Sequence, residues 1–236
     1  GELSLGVQES RVEAWDIEAA GQAEVQVSAS TGLRRLQALD RGTLLVFDSQ
    51  VDALGAAVRG ADQGTLGLIR GAVEGSVTLR GRSLATCHDS VFGPEAVLTV
   101  GDSATAAALN CRGLTTPRLV HAGLLVEASL ADVVVETGQR APLSGGARLF
   151  TGGSAGPRPA DFTLQYRSAG GTAWREARLT GEASATSLGH WDTAGLTPGR
   201  YRLRLVVRGP RFGELTLSGG ARLRRPIDAA PRRSMP

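Results

Sequence analysis

Two stretches of this chain decide its fold, because they repeat one pattern at separate places. Residues 43–52 read TLLVFDSQVD, and residues 84–93 read LATCHDSVFG. In each stretch two apolar residues alternate along a strand, an Asp-Ser pair follows, and another apolar residue stands two places after the serine. Because successive side chains of a strand point to opposite faces, the two alternating apolar residues share one face.

The same pattern recurs about every twenty residues throughout the first 140 residues. The residues that anchor the repeats are Ser10, Ser30, Ser49, Gly71, Ser90, Arg112 and Ser129. The positions five and three places before each anchor, and two places after it, are apolar with the single exception of Gly32. A repeat of this length is typical of a solenoid, in which each turn buries its apolar face only against the next turn.

Further apolar pairs between the anchors, such as Trp15 with Ile17 and Val77 with Leu79, predict a second or third strand in each turn. The uneven length of the repeats favours a right-handed parallel β-helix of about seven rungs over the left-handed hexapeptide type. In this periodicity residues 1–140 resemble the pectate-lyase-like β-helix superfamily. An ordinary β-sandwich, which also has short strands at regular spacing, remains the alternative.

The repeat ends near residue 140, and the composition of the chain changes there. The glycine-rich segment 141–160 predicts a linker. Residues 161–224 contain strand-like segments of a different rhythm and predict a second domain. Residues 225–236, with three prolines, predict an extended tail.

One stretch of the predicted second domain carries a resemblance. Residues 191–201, WDTAGLTPGRY, resemble the entry to the penultimate strand of fibronectin-III-like and bacterial Ig-like modules, through Leu196, Pro198, Gly199 and Tyr201. In those modules a turn of this kind delivers a tyrosine to a corner of the β-sandwich. The resemblance implies an Ig-like β-sandwich, with Trp174 and Trp191 as its large core residues. The predicted fold class is therefore all-β.

Charge divides unevenly between the two halves of the chain. Residues 1–146 hold 11 arginines and 17 acidic residues, whereas residues 147–236 hold 15 arginines and 6 acidic residues. Arg200, Arg202 and Arg204 alternate on one face of a predicted strand and predict a contact surface for an acidic polysaccharide or an acidic protein neighbour. A solvated strand face is the plainer interpretation. Nucleic acid is disfavoured as a partner, because the sequence places no aromatic residue on the arginine face to stack on bases.

The residues just before the anchors form a candidate catalytic column. Asp48, Arg70 and Asp89 stand on successive turns, with His88 beside them, and they face outward if the strand has already turned there. A polysaccharide lyase needs carboxylates that hold Ca²⁺ against the substrate and an arginine that acts as base or clamp. The alternative is a ladder of surface ion pairs, which contributes little per pair.

Asp52 and Glu74 form a weaker candidate for a Ca²⁺ site, because two carboxylates fall short of the six to eight oxygens that the ion takes. No other cofactor is indicated. Cys87 falls in an apolar column and predicts a small core residue, whereas a bond from it to Cys111 requires a shift of the register. The sequence contains no serine-hydrolase, zinc-protease or phosphate-loop motif.

These observations favour a non-catalytic structural or binding module of an extracellular, cell-surface or phage-tail-like assembly. The solenoid would act as a stiff spacer, and the arginine-rich sandwich as the contact face. A polysaccharide lyase or hydrolase, or a passive carbohydrate-binding module, is the alternative. No stretch is apolar enough to predict a membrane span. The open first rung predicts an upstream segment or a partner subunit that covers it.

Overall fold

The computed structural model describes residues 4–8, 11–57, 64–114, 117–153, 156–184 and 186–226, and these residues form strands and turns without any helix. No membrane-spanning helix therefore occurs in the described part of the chain. The chain divides into two compact units. The first comprises the residues up to Ser129 together with Ala147–Ala160 and Gly209–Gly213, and the second comprises the remaining segments.

Short strands follow one another along the whole chain. Up to residue 130 they are β1 (Ser4–Gln8), β2 (Arg11–Ala19), β3 (Glu24–Ser28), β4 (Thr31–Leu39), β5 (Thr43–Phe47), β6 (Gln50–Ala57), β7 (Thr65–Ile69), β8 (Ala72–Val73), β9 (Ser76–Arg80), β10 (Leu84–His88), β11 (Val91–Phe92), β12 (Val97–Val100), β13 (Thr105–Leu109), β14 (Arg118–Leu119) and β15 (Leu124–Leu130). After it they are β16 (Val133–Glu136), β17 (Arg140–Thr151), β18 (Arg158–Pro159), β19 (Asp161–Ser168), β20 (Arg175–Glu176), β21 (Leu179–Thr180), β22 (Ser187–Asp192), β23 (Gly199–Gly209) and β24 (Gly213–Arg224).

The first unit is a β-solenoid of about five turns. One of its sides is a parallel sheet in the order β1-β3-β5-β7-β10-β13-β15. The second side changes along the coil. In the early turns it consists of the long strands β4 and β6, whereas β6 then pairs with both β8 and β9, so that the later turns have two short strands there. The solenoid and the second or third strand per turn are confirmed.

The predicted register is correct over the first five repeats and wrong by one residue in the next two. Leu44 pairs with Leu66, and Leu66 pairs with Ala85, as the anchors require. Ala85 then pairs with Ala106 instead of Ala107, and Ala106 pairs with Leu125. The apolar pattern cannot distinguish the two registers there, because every residue of β13 is buried. Ser10 lies outside the described residues.

Gly32, the exception in the apolar pattern, is explained by a local irregularity of the strand. Its backbone has φ of 76°, and the next residue, Leu33, pairs with Val51 and is fully buried. Leu33 therefore takes the core position that the spacing assigned to Gly32.

Buried hydroxyl groups connect successive turns at the anchor positions. The Ser49 hydroxyl donates to the carbonyl of Phe47 at 2.7 Å and accepts the backbone N–H of Ser30, one turn earlier, at 3.0 Å. The Ser90 hydroxyl makes the same pair of bonds, to the carbonyl of His88 at 2.7 Å and from the N–H of Gly71 at 3.3 Å. These serines form a ladder that satisfies backbone groups at a corner of the coil where no strand pairing is available.

We expect Ser49→Ala to lower the free energy of unfolding by about 1–3 kcal/mol, because it leaves the buried N–H of Ser30 without an acceptor. The carbonyl of Phe47 keeps the N–H of Ala29 as a partner, so a single group is orphaned. Urea denaturation measures the difference. The stability of Ser49→Cys should lie between that of the wild type and that of Ser49→Ala, since a thiol is a weak hydrogen-bond partner. A loss no larger than that of Ser76→Ala, at an exposed serine, would contradict the ladder.

The second unit contains two antiparallel-rich sheets that meet through aromatic side chains. One sheet has the order β16-β24-β23-β19-β20, and the other joins the first half of β17 to β22 and β21. Trp191 of β22 is fully buried, and its ring centroid lies 5.3 Å from that of Tyr166 and 6.2 Å from that of Tyr201. Trp191 is confirmed as a core residue.

Two details of the second half differ from the sequence-based expectation. The segment 141–160 contains most of β17 and all of β18, because the buried Ala141 and Leu143 alternate with the exposed Arg140, Pro142 and Ser144, which is the pattern of a half-buried strand. Trp174 is half-buried and stands beside the edge strand β20, so its assignment to the core is wrong. Most of the predicted tail, residues 227–236, lies outside the described residues.

Candidate functional site

The column of Asp48, Arg70 and Asp89 lies at the same corner of the coil as the serine ladder. All three residues have positive φ, between 47° and 51°, in the left-handed region. The strand has therefore turned before the anchor, as the charged side chains predicted. Aspartate tolerates this conformation better than most residues, whereas Arg70 adopts it at a cost of about 1–2 kcal/mol.

Asp48 and Arg70 form a two-pronged ion pair across successive turns. The Nε and Nη2 atoms of Arg70 each donate to one carboxylate oxygen of Asp48 at 2.7 Å. These hydrogen bonds lower the pKa of Asp48 and raise that of Arg70. The side chains remain 49 % and 58 % exposed, respectively. Two of the five N–H groups of the guanidinium are thus directed at Asp48, and the raised pKa makes Arg70 a poor base.

His88 and Asp89 lie next to this ion pair. His88 Nδ1 is 3.5 Å from Asp89 Oδ2, which is too long for a strong hydrogen bond. Asp89 contributes only a minor favourable charge to Arg70. The four predicted catalytic residues are thus brought together, and their arrangement matches a surface ladder of ion pairs better than an acid–base pair.

The candidate Ca²⁺ carboxylates also lie on successive turns. Val51 pairs with Val73, which places Asp52 and Glu74 at equivalent positions, and both side chains are exposed. No cluster of three or more His, Cys, Asp or Glu side chains occurs among the described residues. Within the part of the chain that the structure describes, no third side chain of these types therefore joins Asp52 and Glu74.

The two cysteines are free thiols. Cys111 occupies an anchor position: its Sγ contacts the carbonyl of Leu109 at 3.5 Å and that of Cys87 at 3.3 Å, and burial raises its pKa to about 11. Burial raises the pKa of Cys87 further. Both thiols are therefore protonated at neutral pH and unsuited to nucleophilic attack. Cys111 replaces serine in the ladder, a role that the sequence anchor at Arg112 missed.

One charged pair that the sequence did not single out lies in the last turn of the solenoid. Glu127 pairs in register with Ala108, in the column that also holds the buried Cys87. Its carboxylate accepts a hydrogen bond from Arg148 Nη2 at 2.5 Å, and the Arg148 guanidinium lies 5.3 Å from the ring centre of Phe150. Phe150 packs on the apolar core. The pair therefore carries a charge into an otherwise apolar column, and it is best explained as structural.

Burial raises the pKa of Glu127 from its ordinary value of 4.5, despite the opposing effect of Arg148. A raised pKa means that the fold favours the protonated form, so this contribution to stability is present at low pH and is lost as pH rises above that value. We expect wild type to lose stability relative to Glu127→Gln between pH 4 and pH 7. Urea midpoints of both proteins at several pH values test this. If the wild type instead became more stable relative to the variant as pH rises, the favourable interaction of Glu127 with Arg148 would outweigh the cost of burying the carboxylate.

The arginine face of the second unit brings several arginines together on neighbouring strands. Arg202 and Arg204 project from β23 on the side opposite to the buried Leu203 and Leu205, as predicted. The two arginines differ in their surroundings, since Arg202 is exposed and Arg204 is half-buried. Arg200, at the start of the same strand, is exposed.

The neighbouring strand adds residues to this face that sequence reasoning missed. Arg167 of β19 stands directly opposite Arg202, and Gln165 stands opposite Arg204. The guanidinium carbons of Arg204 and Arg167 lie 4.5 and 4.8 Å from the ring centre of Trp174. An aromatic residue therefore does share the arginine face, and the premise used against nucleic acid is wrong. The alternation of the polar residues Thr163, Gln165 and Arg167 was a weak signal, because the pairing of this strand with β23 cannot be deduced from it.

No protein-family model and no characterised protein matches the sequence. Among solved structures, the chain is similar to Listeria monocytogenes InlP over 85 % of its own length and 80 % of that chain, with 10 % sequence identity and a TM-score of 0.30. A similarity of this size identifies neither a shared fold nor a shared function.

Proposed function

We propose that the chain is a non-catalytic structural or binding module of an extracellular, cell-surface or phage-tail-like assembly. The solenoid is a stiff spacer, and the arginine face, with Arg200, Arg202 and Arg204, is the contact surface. The observation that carries the proposal is the contrast between two charged surfaces. Asp48 and Arg70 neutralise each other, whereas Arg202 stands opposite Arg167 without an acidic partner among the described residues. Unneutralised charge held on a sheet is suited to binding an anionic partner.

The proposal includes a finer description of both units. The solenoid is a right-handed parallel β-helix related to the pectate-lyase-like type, and the parallel pairing along the order β1-β3-β5-β7-β10-β13-β15 supports the parallel arrangement of its turns. The second unit is an Ig-like sandwich. In its support, the Tyr201 hydroxyl donates to the carbonyl of Thr197 at 2.9 Å, the backward bond expected of a tyrosine corner.

An assembly role also requires surfaces that meet neighbours. Leu5 belongs to the column of Val25 and Leu44, which are buried, yet it is 48 % exposed. A partner subunit that covers this turn is part of the proposal. Light scattering over a tenfold range of concentration tests it, with a stable oligomer or growth into larger species as the expected result. A monomer at every concentration would argue against self-assembly and leave binding of an acidic partner.

The competing function is a polysaccharide lyase or hydrolase that uses Asp48, Arg70, Asp89 and His88. We expect no turnover when the protein is incubated with polygalacturonate or alginate, measured by new reducing ends and by the ultraviolet absorbance of an unsaturated product. Turnover that disappears in Arg70→Ala while the circular dichroism spectrum is unchanged would overturn the non-catalytic proposal. Turnover equal in both proteins would indicate a contaminating activity.

A further inference from the structure

Arg167 and Arg202 form a pair of like charges that is expected to destabilise the sheet. They are directly opposite each other on the antiparallel strands β19 and β23. Directly opposed residues place their Cβ atoms about 4.5–5.5 Å apart, and like charges at this separation destabilise a sheet. Arg208, on the same face, does have an acidic partner, because its Nε donates to the carboxylate of Glu214 at 3.1 Å. No described carboxylate forms an ion pair with Arg167 or Arg202.

Trp174 and Gln165 fix the arginine side chains in place. Arg204 donates from Nε to Gln165 Oε1 at 2.5 Å while its guanidinium lies over the indole ring. Arg167 lies over the same ring, and its Nε is buried without a hydrogen-bond partner among the described residues. Arginine stacks well on indole, and side chains ordered in advance lose less entropy when they bind a ligand.

We propose, as an extension that rests on the proposed function, that Arg167, Arg202 and Arg204 bind the anionic groups of an acidic polysaccharide. Trp174 holds Arg167 and Arg204 in place for this contact. Arg200, Arg202 and Arg204 repeat every second residue, so their Cα atoms are about 7 Å apart along the strand. A row of this kind fits a linear polymer that carries sulfate or carboxylate groups at regular intervals. A guanidinium group can also donate two parallel hydrogen bonds to two oxygens of either anion.

Two other classes of polyanion fit the face less well. Nucleic acid without sequence preference is held by aromatic rings on which bases stack, and two guanidinium groups already lie over the ring of Trp174. A folded acidic protein needs buried aromatic or aliphatic anchors at the centre of the interface. Here the neighbours of the arginines on β19 are Thr163 and Gln165, which are polar.

The experiment compares one carbohydrate backbone with and without charge. Dextran, carboxymethyl-dextran and dextran sulfate are titrated against the full chain by calorimetry at several salt concentrations, and poly-L-glutamate and poly(dT) serve as the other polyanions. The test variant is the double change Arg167→Gln and Arg202→Gln. The control is Arg82→Gln with Arg158→Gln, which removes the same charge from exposed positions of the first unit. The test variant should fold, because it relieves a repulsion.

We expect a charged dextran to bind and plain dextran not to bind. The test variant should weaken binding at least tenfold and reduce the slope of log affinity against log salt by about 2, one per lost contact. The control should change neither quantity. The charged dextran that binds more tightly distinguishes sulfate from carboxylate.

Equal weakening by the two double variants, or tighter binding of poly-L-glutamate or poly(dT) than of either charged dextran, would overturn the site while the chain remained a binding module. Failure of the wild type to bind any of the polyanions would overturn the arginine face as a contact surface, and the proposed function with it.

Discussion

Gly113→Ala should lower the free energy of unfolding of the solenoid by about 3 kcal/mol or more, the sum of a strained backbone and a forced contact. Gly113 has φ of 80°, a conformation that L-residues rarely adopt. A Cβ atom at this position would lie 1.9 Å from the carbonyl oxygen of Phe92 and 3.0 Å from its carbonyl carbon. These are backbone atoms of the preceding turn, and Phe92 is held there by its N–H bond to the carbonyl of Arg112. The clash therefore separates two turns of the stack.

Gly21→Ala is the matched control for this experiment. Gly21 also has a positive φ, 66°, but no atom lies within 4 Å of a Cβ built on it. Alanine there should cost only the backbone strain, about 1–2 kcal/mol. Chemical denaturation followed by far-ultraviolet circular dichroism compares the two variants. Equal losses would mean that backbone conformation alone decides the effect, and that close contact between turns at Gly113 contributes nothing.

Periodicity predicted the solenoid well wherever each turn alternates apolar and polar residues. The stretch before Ser30 determines its own register, because Val25 and Val27 alternate with the polar residues Glu24, Gln26 and Ser28. The stretch around Ala107 does not, since three successive alanines fit either face. Burial on both faces of β13 removes the information that a half-exposed strand carries. The slip of one residue there follows from this loss of contrast.

In the candidate sites, contacts that follow from the repeat could be predicted, whereas contacts between strands outside the repeat could not. The corner that carries Asp48, Arg70 and Asp89 was predicted, because charged residues in an inward column imply that the strand has turned. The bond between Asp48 and Arg70 was a natural consequence of stacking. The pairs Glu127 with Arg148 and Arg167 with Arg202 could not be predicted. Each depends on a pairing between strands that no repeat specifies.

The tryptophans show how far composition alone can mislead. A large aromatic residue in a chain with 4 % aromatic content is expected in the core, and Trp191 obeys that expectation. Trp174 instead lies next to two guanidinium groups. Its immediate neighbours, Ala173 and Arg175, are both exposed. The sequence around Trp174 therefore lacks the alternation of apolar and polar residues that marks a half-buried strand. The distinction between the two tryptophans depends on which strands surround them.

Trp191→Ala is expected to destabilise the second unit by about 3–5 kcal/mol, the usual cost of truncating a fully buried large aromatic residue. The cost arises from the cavity and from lost contact with Tyr166 and Tyr201, whose rings lie 5.3 and 6.2 Å away. Both tyrosines of the chain belong to this cluster. Thermal unfolding followed by near-ultraviolet circular dichroism therefore reports on the second unit.

Trp191→Phe separates packing from polarity at the same position. The indole Nε1 of Trp191 is buried without a hydrogen-bond partner among the described residues, so phenylalanine removes a polar atom that is already unsatisfied. Its loss of stability should therefore be well below that of alanine. Trp174→Ala should have the opposite effects. Because Trp174 is half-buried, the midpoint temperature of the near-ultraviolet transition should change little. Binding of charged dextran should weaken, because Arg167 and Arg204 lose the ring on which they lie. If Trp174→Ala lowered the transition as much as Trp191→Ala did, Trp174 would be a core residue after all, and its role as a brace for the arginines would be wrong.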